Sequence, residues 1–224
     1  MVRALFMSRK FNHTSIELTA LRVWRQSVAR AGMALITVLI ISSCSSAPPV
    51  PEDHYYRLQA VHAGEQKVAK LFAGTIEIDR FVADGLTSER AIVYSKAGSP
   101  NEVKAHHYHF WIKPPTVMLR DELVSFLRQA KISKAVVTPA MRVRADYVVT
   151  GKIRHLERVT GENGRTRLEV ELGVRNPSDG ELLFLKTYKQ DNATVDASVA
   201  SGVEALNTAL SIIYADFLSD VSKR

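Results

Sequence analysis

The chain of 224 residues contains a single cysteine, Cys44. No disulfide can close within it, so the folded part is held by core burial alone. No apolar run approaches the roughly 20 residues that a spanning helix needs. Phosphate-cradling glycine patterns are missing, with neither GxGxxG nor GxxxxGK[ST] present. There is no GxSxG or HExxH, and Ser201-Gly202 falls inside a helical pattern, so a nucleophilic triad finds no support. The formal net charge of +7 invites a nucleic-acid reading until it is located. Residues 1–43 carry six Lys/Arg against one Glu, and residues 44–224 carry 24 against 22. The main body is therefore near neutral and has no electrostatic reason to bind DNA or RNA. Apolar residues at 46% and charged residues at 24% also exclude disorder throughout and a multi-span membrane protein.

What is present begins with the N-terminal segment. Ala31–Ile41 is an apolar run of 11 residues, preceded by Arg22, Arg25 and Arg30. That is the length and charge layout of a signal-peptide core. Ile41-Ser42-Ser43-Cys44 follows and matches a bacterial lipobox. Small residues there let a lipoprotein signal peptidase reach the bond before Cys44, whose thiolate is the nucleophile that takes up diacylglycerol. The freed amine of Cys44 can take a further acyl chain, such as palmitate. One chain anchors only marginally, at about 0.8 kcal/mol per buried methylene, whereas two or three hold firmly. The alternatives are an anchor that is never cleaved and a chance cysteine after an apolar run. The expected organisation is a signal peptide over 1–43, a lipidated cysteine with a proline-rich tether over 44–54, and one domain over 55–224. Forty-three residues is long for a leader, which usually runs about 15–30. We hypothesise translation from the codon read as Val23; N-terminal sequencing of a precursor that begins at Met1 would refute this.

Within 55–224, residues 55–61 read as a short strand, and Thr75–Phe81 alternates as a half-buried one. Ala91–Ser95 and Lys104–Ile112 flank a turn-rich segment and read as a hairpin. Pro114-Pro115 stops that strand and opens a helix over 116–131, with Leu119, Leu123, Phe126, Leu127 and Ala130 as its apolar stripe. Ala135–Thr138 is a short strand. Ala145–Val159, Arg165–Arg175 and Glu181–Gln190 form a meander joined by Asn163-Gly164 and the NPSDG turn. In its middle strand Leu168, Val170, Leu172 and Val174 share one face, and Arg167, Glu169, Glu171 and Arg175 the other. From about Asp196 to Val221 apolar residues recur at steps of three and four, a long helix that Asp196 or Thr194 could cap. The expected fold is α+β: an antiparallel or mixed sheet with two long amphipathic helices packed on one face.

His106-His107-Tyr108-His109 is the most tempting chemical cluster. On a regular strand His107 and His109 share a face and could hold zinc, with His155 or Glu157 as a third ligand. The plainer reading is a strand with partly packed histidines beside Trp111, and no catalytic, cofactor or metal residue is nominated. Arg142 and Arg144 read as a solvated loop. Tyr55-Tyr56 and Phe110-Trp111 read as core or edge packing.

The order of Cys44, the proline-rich tether, Tyr55-Tyr56-Arg57-Leu58, Trp111, Pro114-Pro115, Met118-Leu119 and Leu123, then a meander and a closing helix, resembles the ABC-type transport auxiliary lipoproteins, the PqiC-like family. The resemblance spans nearly all of 44–224. It implies a non-enzymatic accessory subunit, without cofactor, of an MCE-type ABC system that moves phospholipids or other lipids between membranes. It further implies docking to an MCE-domain protein, membrane attachment through acylated Cys44 and, from the ring-shaped partner, a homo-oligomer. Ser45 after the cysteine implies the outer membrane, facing the periplasm. The competing readings are a structural or regulatory lipoprotein of another envelope complex, such as a cell-wall synthase activator or assembly factor, and a zinc-dependent envelope hydrolase on His107 and His109.

Overall fold

Alternating strands separated by turn residues account for most of the architecture, seen in a computed structural model that describes residues 50–62, 72–161 and 164–223. The elements are β1 (His54–Tyr56), β2 (Phe72–Ala83), β3 (Ala91–Lys96), β4 (Ser99–Trp111), α1 (Pro115–Gln129), β5 (Ser133–Val137), β6 (Tyr147–Thr160), β7 (Arg165–Arg175), β8 (Leu182–Ala193) and α2 (Val199–Ser222). The expected leader, Ile41, Ser42, Ser43, Cys44 and the first part of the tether lie outside the described residues, as do Glu162 and Asn163 of the expected turn.

β6 is the axis of one mixed sheet. β7 pairs antiparallel along one of its edges, and β8 pairs antiparallel with β7. Two strands share the other edge end to end: β2 runs parallel beside Tyr147–Ile153, and β3 runs parallel beside Glu157–Thr160. Between them the chain makes one 3-10 turn, Gly85–Ser88, and resumes its direction. β5 lies parallel outside β2, β4 antiparallel outside β3, and β1 parallel outside β4. The fold is α+β, with α1 laid on β2 and β5 and α2 on β7 and β8.

The meander follows the sequence pattern. Leu168, Val170, Leu172 and Val174 are buried under α2. On the opposite face Glu171 meets Arg154 at 2.6 Å, Glu169 meets Lys189 at 3.0 Å and Arg167 meets Asp191 at 3.3 Å. Such exposed pairs are worth about 0–1 kcal/mol each and chiefly keep that face wet. Bulges interrupt the simple period elsewhere. In β6 the register slips between Ile153 and His155, so the core phase passes from Val149 and Ile153 to Leu156 and Arg158. In β2 it slips between Ile78 and Phe81, and Phe81 comes to lie opposite Gly151. A Cβ on Gly151 would sit 2.5 Å from the buried Phe81 ring, so the glycine makes room for the aromatic.

Two local expectations are corrected. Residues 55–61 do not form one strand, because only Tyr55 and Tyr56 continue the pairing begun at His54. Beyond them the backbone finds side chains in place of a neighbouring strand. The N–H groups of Gln59, Ala60 and Val61 donate to Asn207 Oδ1, Glu122 Oε2 and Ser211 Oγ, each at 2.9 Å. This strap therefore crosses both helices, burying Leu58 and setting His62 against Phe126 with ring centroids 4.9 Å apart. The cap of α2 is Ser198, whose hydroxyl accepts from Ser201 N–H at 3.0 Å, and not Asp196 or Thr194. Asp196 instead accepts from the N–H of Ser198 at 2.8 Å, holding the cap residue itself.

The two helices meet at Tyr214. Its hydroxyl, fully buried, donates to the carbonyl of Leu119 at 2.6 Å, and its ring stands edge-on to Phe126. A tyrosine is tolerated in the core because that partner satisfies its O–H.

Candidate functional site

A polar cluster gathers where the first strand joins the sheet. The pairing of β3 with β4 jumps from Ala91–Phe110 to Val93–Ala105, so four residues of β4, His106 to His109, bulge opposite Ile92. The bulge breaks the two-residue period. It sets His106, and not His107, beside His109, with ring centroids 5.3 Å apart. His54 of β1 stacks on His109 at 5.0 Å, and a hydrogen bond of 3.0 Å joins Tyr56 Oη to His109 Nδ1. Tyr94 of β3 packs against His106 at 4.6 Å.

Arg158 of β6 reaches this cluster from beneath α2. It is 5% exposed. Its Nη2 donates to Ala197 O at 2.7 Å, just before the helix, and its Nη1 lies 3.2 Å from His106 Nε2. A guanidinium has donors only, so His106 Nε2 accepts. That fixes a neutral imidazole with its proton on Nδ1. Burial, then the Arg158 charge, pushes the His106 pKa down to about 4. Burial and the neighbouring His54 lower His109 as well, and burial raises Tyr56. Arg158 Nε is buried with no hydrogen-bond partner among the described residues. It faces Gly202, where a Cβ would come within 2.6 Å of it, so the glycine lets the helix close over the arginine. The arrangement presents the neutral His106 imidazole against a fixed cation. It locks β1, the β4 bulge and the start of α2 together.

The other sequence-nominated residues lie apart from this cluster. His107 is exposed, with Tyr108 its only ring neighbour among the described residues. His155 and Glu157 sit on β6 and approach each other at 3.4 Å, with β3 between their strand and β4. No group of three His, Cys, Asp or Glu suited to a metal ion occurs among the described residues. Arg142 is exposed in a left-handed turn, φ 52°. Arg144 borders a polar cleft of about 560 Å³ with Arg175, Glu77 and Asp146. Trp111 is buried, whereas Tyr55 is exposed. Sequence reasoning passed over Arg158 and His106. No period-2 signal could have found Arg158, which shares its phase with Lys152 and Arg154, and only the bulge between Ile153 and His155 turns it toward the core.

The architecture is thus a mixed sheet covered on one face by two helices, pinned at its first strand by an arginine–histidine cluster. The chain belongs to the ABC-type transport auxiliary lipoprotein component family, whose family model matches residues 56–216. It is similar to protein XCC0632 from Xanthomonas campestris, of the DUF330 family model. That crystal structure aligns with TM-score 0.64 at 17% identity, over 73% of this chain and 92% of the other. A second crystal structure, of an uncharacterized protein, aligns with TM-score 0.61 at 12% identity over 76% and 99%. At those identities the likeness concerns the fold. No curated protein matches the chain by sequence. The family is described as an auxiliary lipoprotein component of ABC-type transport, a role non-enzymatic in kind and associated with the cell envelope. No helix among the described residues is long and apolar enough to cross a membrane.

Proposed function

We propose that this protein is the lipid-anchored accessory subunit of an MCE-type ABC system for intermembrane lipid transport. The observation that carries the reading is the family match over residues 56–216, downstream of Ile41-Ser42-Ser43-Cys44. Cleavage before Cys44 and acylation of its thiol and amine attach the chain to a membrane, the outer one by the Ser45 criterion, with the folded part in the periplasm. Confinement to one surface raises the effective concentration of the domain for a partner that spans the gap. The partner is an MCE-domain protein, and a ring of identical subunits would match a ring-shaped one.

Crosslinking in native membranes, followed by pulldown and mass spectrometry, tests the role. An MCE protein recovered with its permease and ATPase is the expected result. Recovery of a different envelope complex, such as a wall synthase, would move the function there. The intact mass of the mature chain tests the anchor separately: it should begin at Cys44 and carry acyl chains.

A further inference from the structure

A cleft of about 400 Å³ opens beside β1, where the chain first joins the sheet, lined by Asp53, Tyr55, Leu86, Glu89, Arg90 and Phe110. The core does not use its apolar part: Tyr55 is 56% exposed and Leu86 44%. The Tyr55 and Phe110 rings lie 5.8 Å apart, and the Arg90 guanidinium sits 5.6 Å from the Tyr55 centroid. Arg90 is held in place, because its Nε donates to the carbonyl of buried Trp111 at 3.1 Å. Its charge meets no carboxylate at ion-pair distance among the described residues. Asp53 accepts only from Tyr55 Oη, at 3.2 Å, and Glu89 has no cationic partner among the described residues. One small cleft therefore holds a fixed cation, two carboxylates unpaired with it, and an apolar aromatic wall.

A simple anion would suit Arg90 and be repelled by Asp53 and Glu89; a simple cation would meet the reverse. A ligand carrying both signs and an apolar portion satisfies all of them. We propose that this cleft seats the headgroup of a zwitterionic phospholipid. Its phosphate pairs with Arg90, its ammonium pairs with Asp53 and Glu89 beside the aromatic rings, and its glyceryl end lies on Leu86. The lipid comes from the bilayer that holds the anchor, which rests on the reading of Cys44 above. Eight residues lie between Cys44 and Asp53, nine Cα-to-Cα steps that span at most about 32 Å. Tyrosine at a bilayer surface is well suited to that boundary, with its ring in the apolar layer and its hydroxyl in the polar one.

Titration of the mature protein in detergent with short-chain dihexanoyl phosphatidylethanolamine tests the seat, read by hydrogen exchange of residues 53–56 and 85–91. Saturating lipid should slow these amides about tenfold. Asp53→Asn and Arg90→Gln should each weaken binding at least about fivefold, the order expected for one lost charge contact. Asp53 is exposed and supports no core contact, so its variant keeps the test meaningful if the arginine variant folds poorly. Equal binding of dihexanoyl phosphatidylglycerol overturns recognition of the ammonium. Equal binding of free phosphoethanolamine overturns the membrane source. No slowing with any lipid overturns the seat outright, whereas a mature chain without acyl mass defeats only the anchor.

Discussion

Acidification should loosen the first strand through His106. The folded protein holds this imidazole neutral, accepting from Arg158, and its pKa falls from 6.5 to about 4. Below pH 6.5 the unfolded chain takes up a proton that the folded chain refuses. The stabilisation is thus fully present above pH 6.5 and is lost as the pH falls toward 4. A displacement of that size is worth ~3 kcal/mol for a fully enclosed group. The ring is only half-buried, and water screening reduces the expected loss to about 1–2 kcal/mol. Many carboxylates titrate in the same range, so the measurement must isolate one group. His106→Gln serves, because its side-chain oxygen can still accept from Arg158 but does not titrate. Urea unfolding at pH 7.5 and 4.5 would be compared for both proteins. The native protein should lose about 1–2 kcal/mol more than the variant, a midpoint difference on the order of 0.5–1 M at ordinary m-values. Parallel losses would refute the assignment of the buried cluster as a proton-sensitive lock.

Gly151→Ala should destabilise by about 1–3 kcal/mol, because its Cβ would drive into the Phe81 ring. The same change in a Phe81→Leu background should cost far less, and additivity in that double-mutant cycle would contradict the clash. Tyr214→Phe should cost about 1 kcal/mol in equilibrium unfolding by removing the O–H that reaches Leu119; no change would mean the bond adds nothing. Ser198→Ala should cost about 1 kcal/mol and fray the first turn of α2, seen as faster amide exchange at Ser201. Glu122→Ala should speed exchange of the Ala60 amide selectively, since that carboxylate is its acceptor; unchanged exchange would place the protection elsewhere.

How much of this was legible depends on how local the cause is. β7 was readable residue for residue, because its alternation is uninterrupted from Arg165 to Arg175. α1 was opened by its own prolines, and its stripe is the buried face. β1 was overread: Arg57–Val61 carry strand-like residues, but the groove between two distant helices supplies their partners. Acceptors at Glu122, Asn207 and Ser211 lie far along the chain, and nothing near residue 60 announces them. The histidine cluster was misphased for a related reason. A bulge is a property of two paired strands, so the period-2 rule applied to β4 alone chose His107 where the paired register selects His106.

The first strand is the weak link of the architecture by length and the strong one by connection. Three residues paired in parallel at the sheet edge contribute little by themselves. Their hold comes from side chains that belong to four other elements. Tyr56 and His54 grip His109 of β4, His106 grips Arg158 of β6, and Arg158 grips the carbonyl before α2. The strap then ties to both α1 and α2. A pull applied through the N-terminal chain is therefore shared between the sheet and both helices and does not simply unzip one edge strand. Such a connection would suit a domain held by the proposed anchor at Cys44, and it makes neutral His106 the point at which the connection can be weakened without cutting the chain.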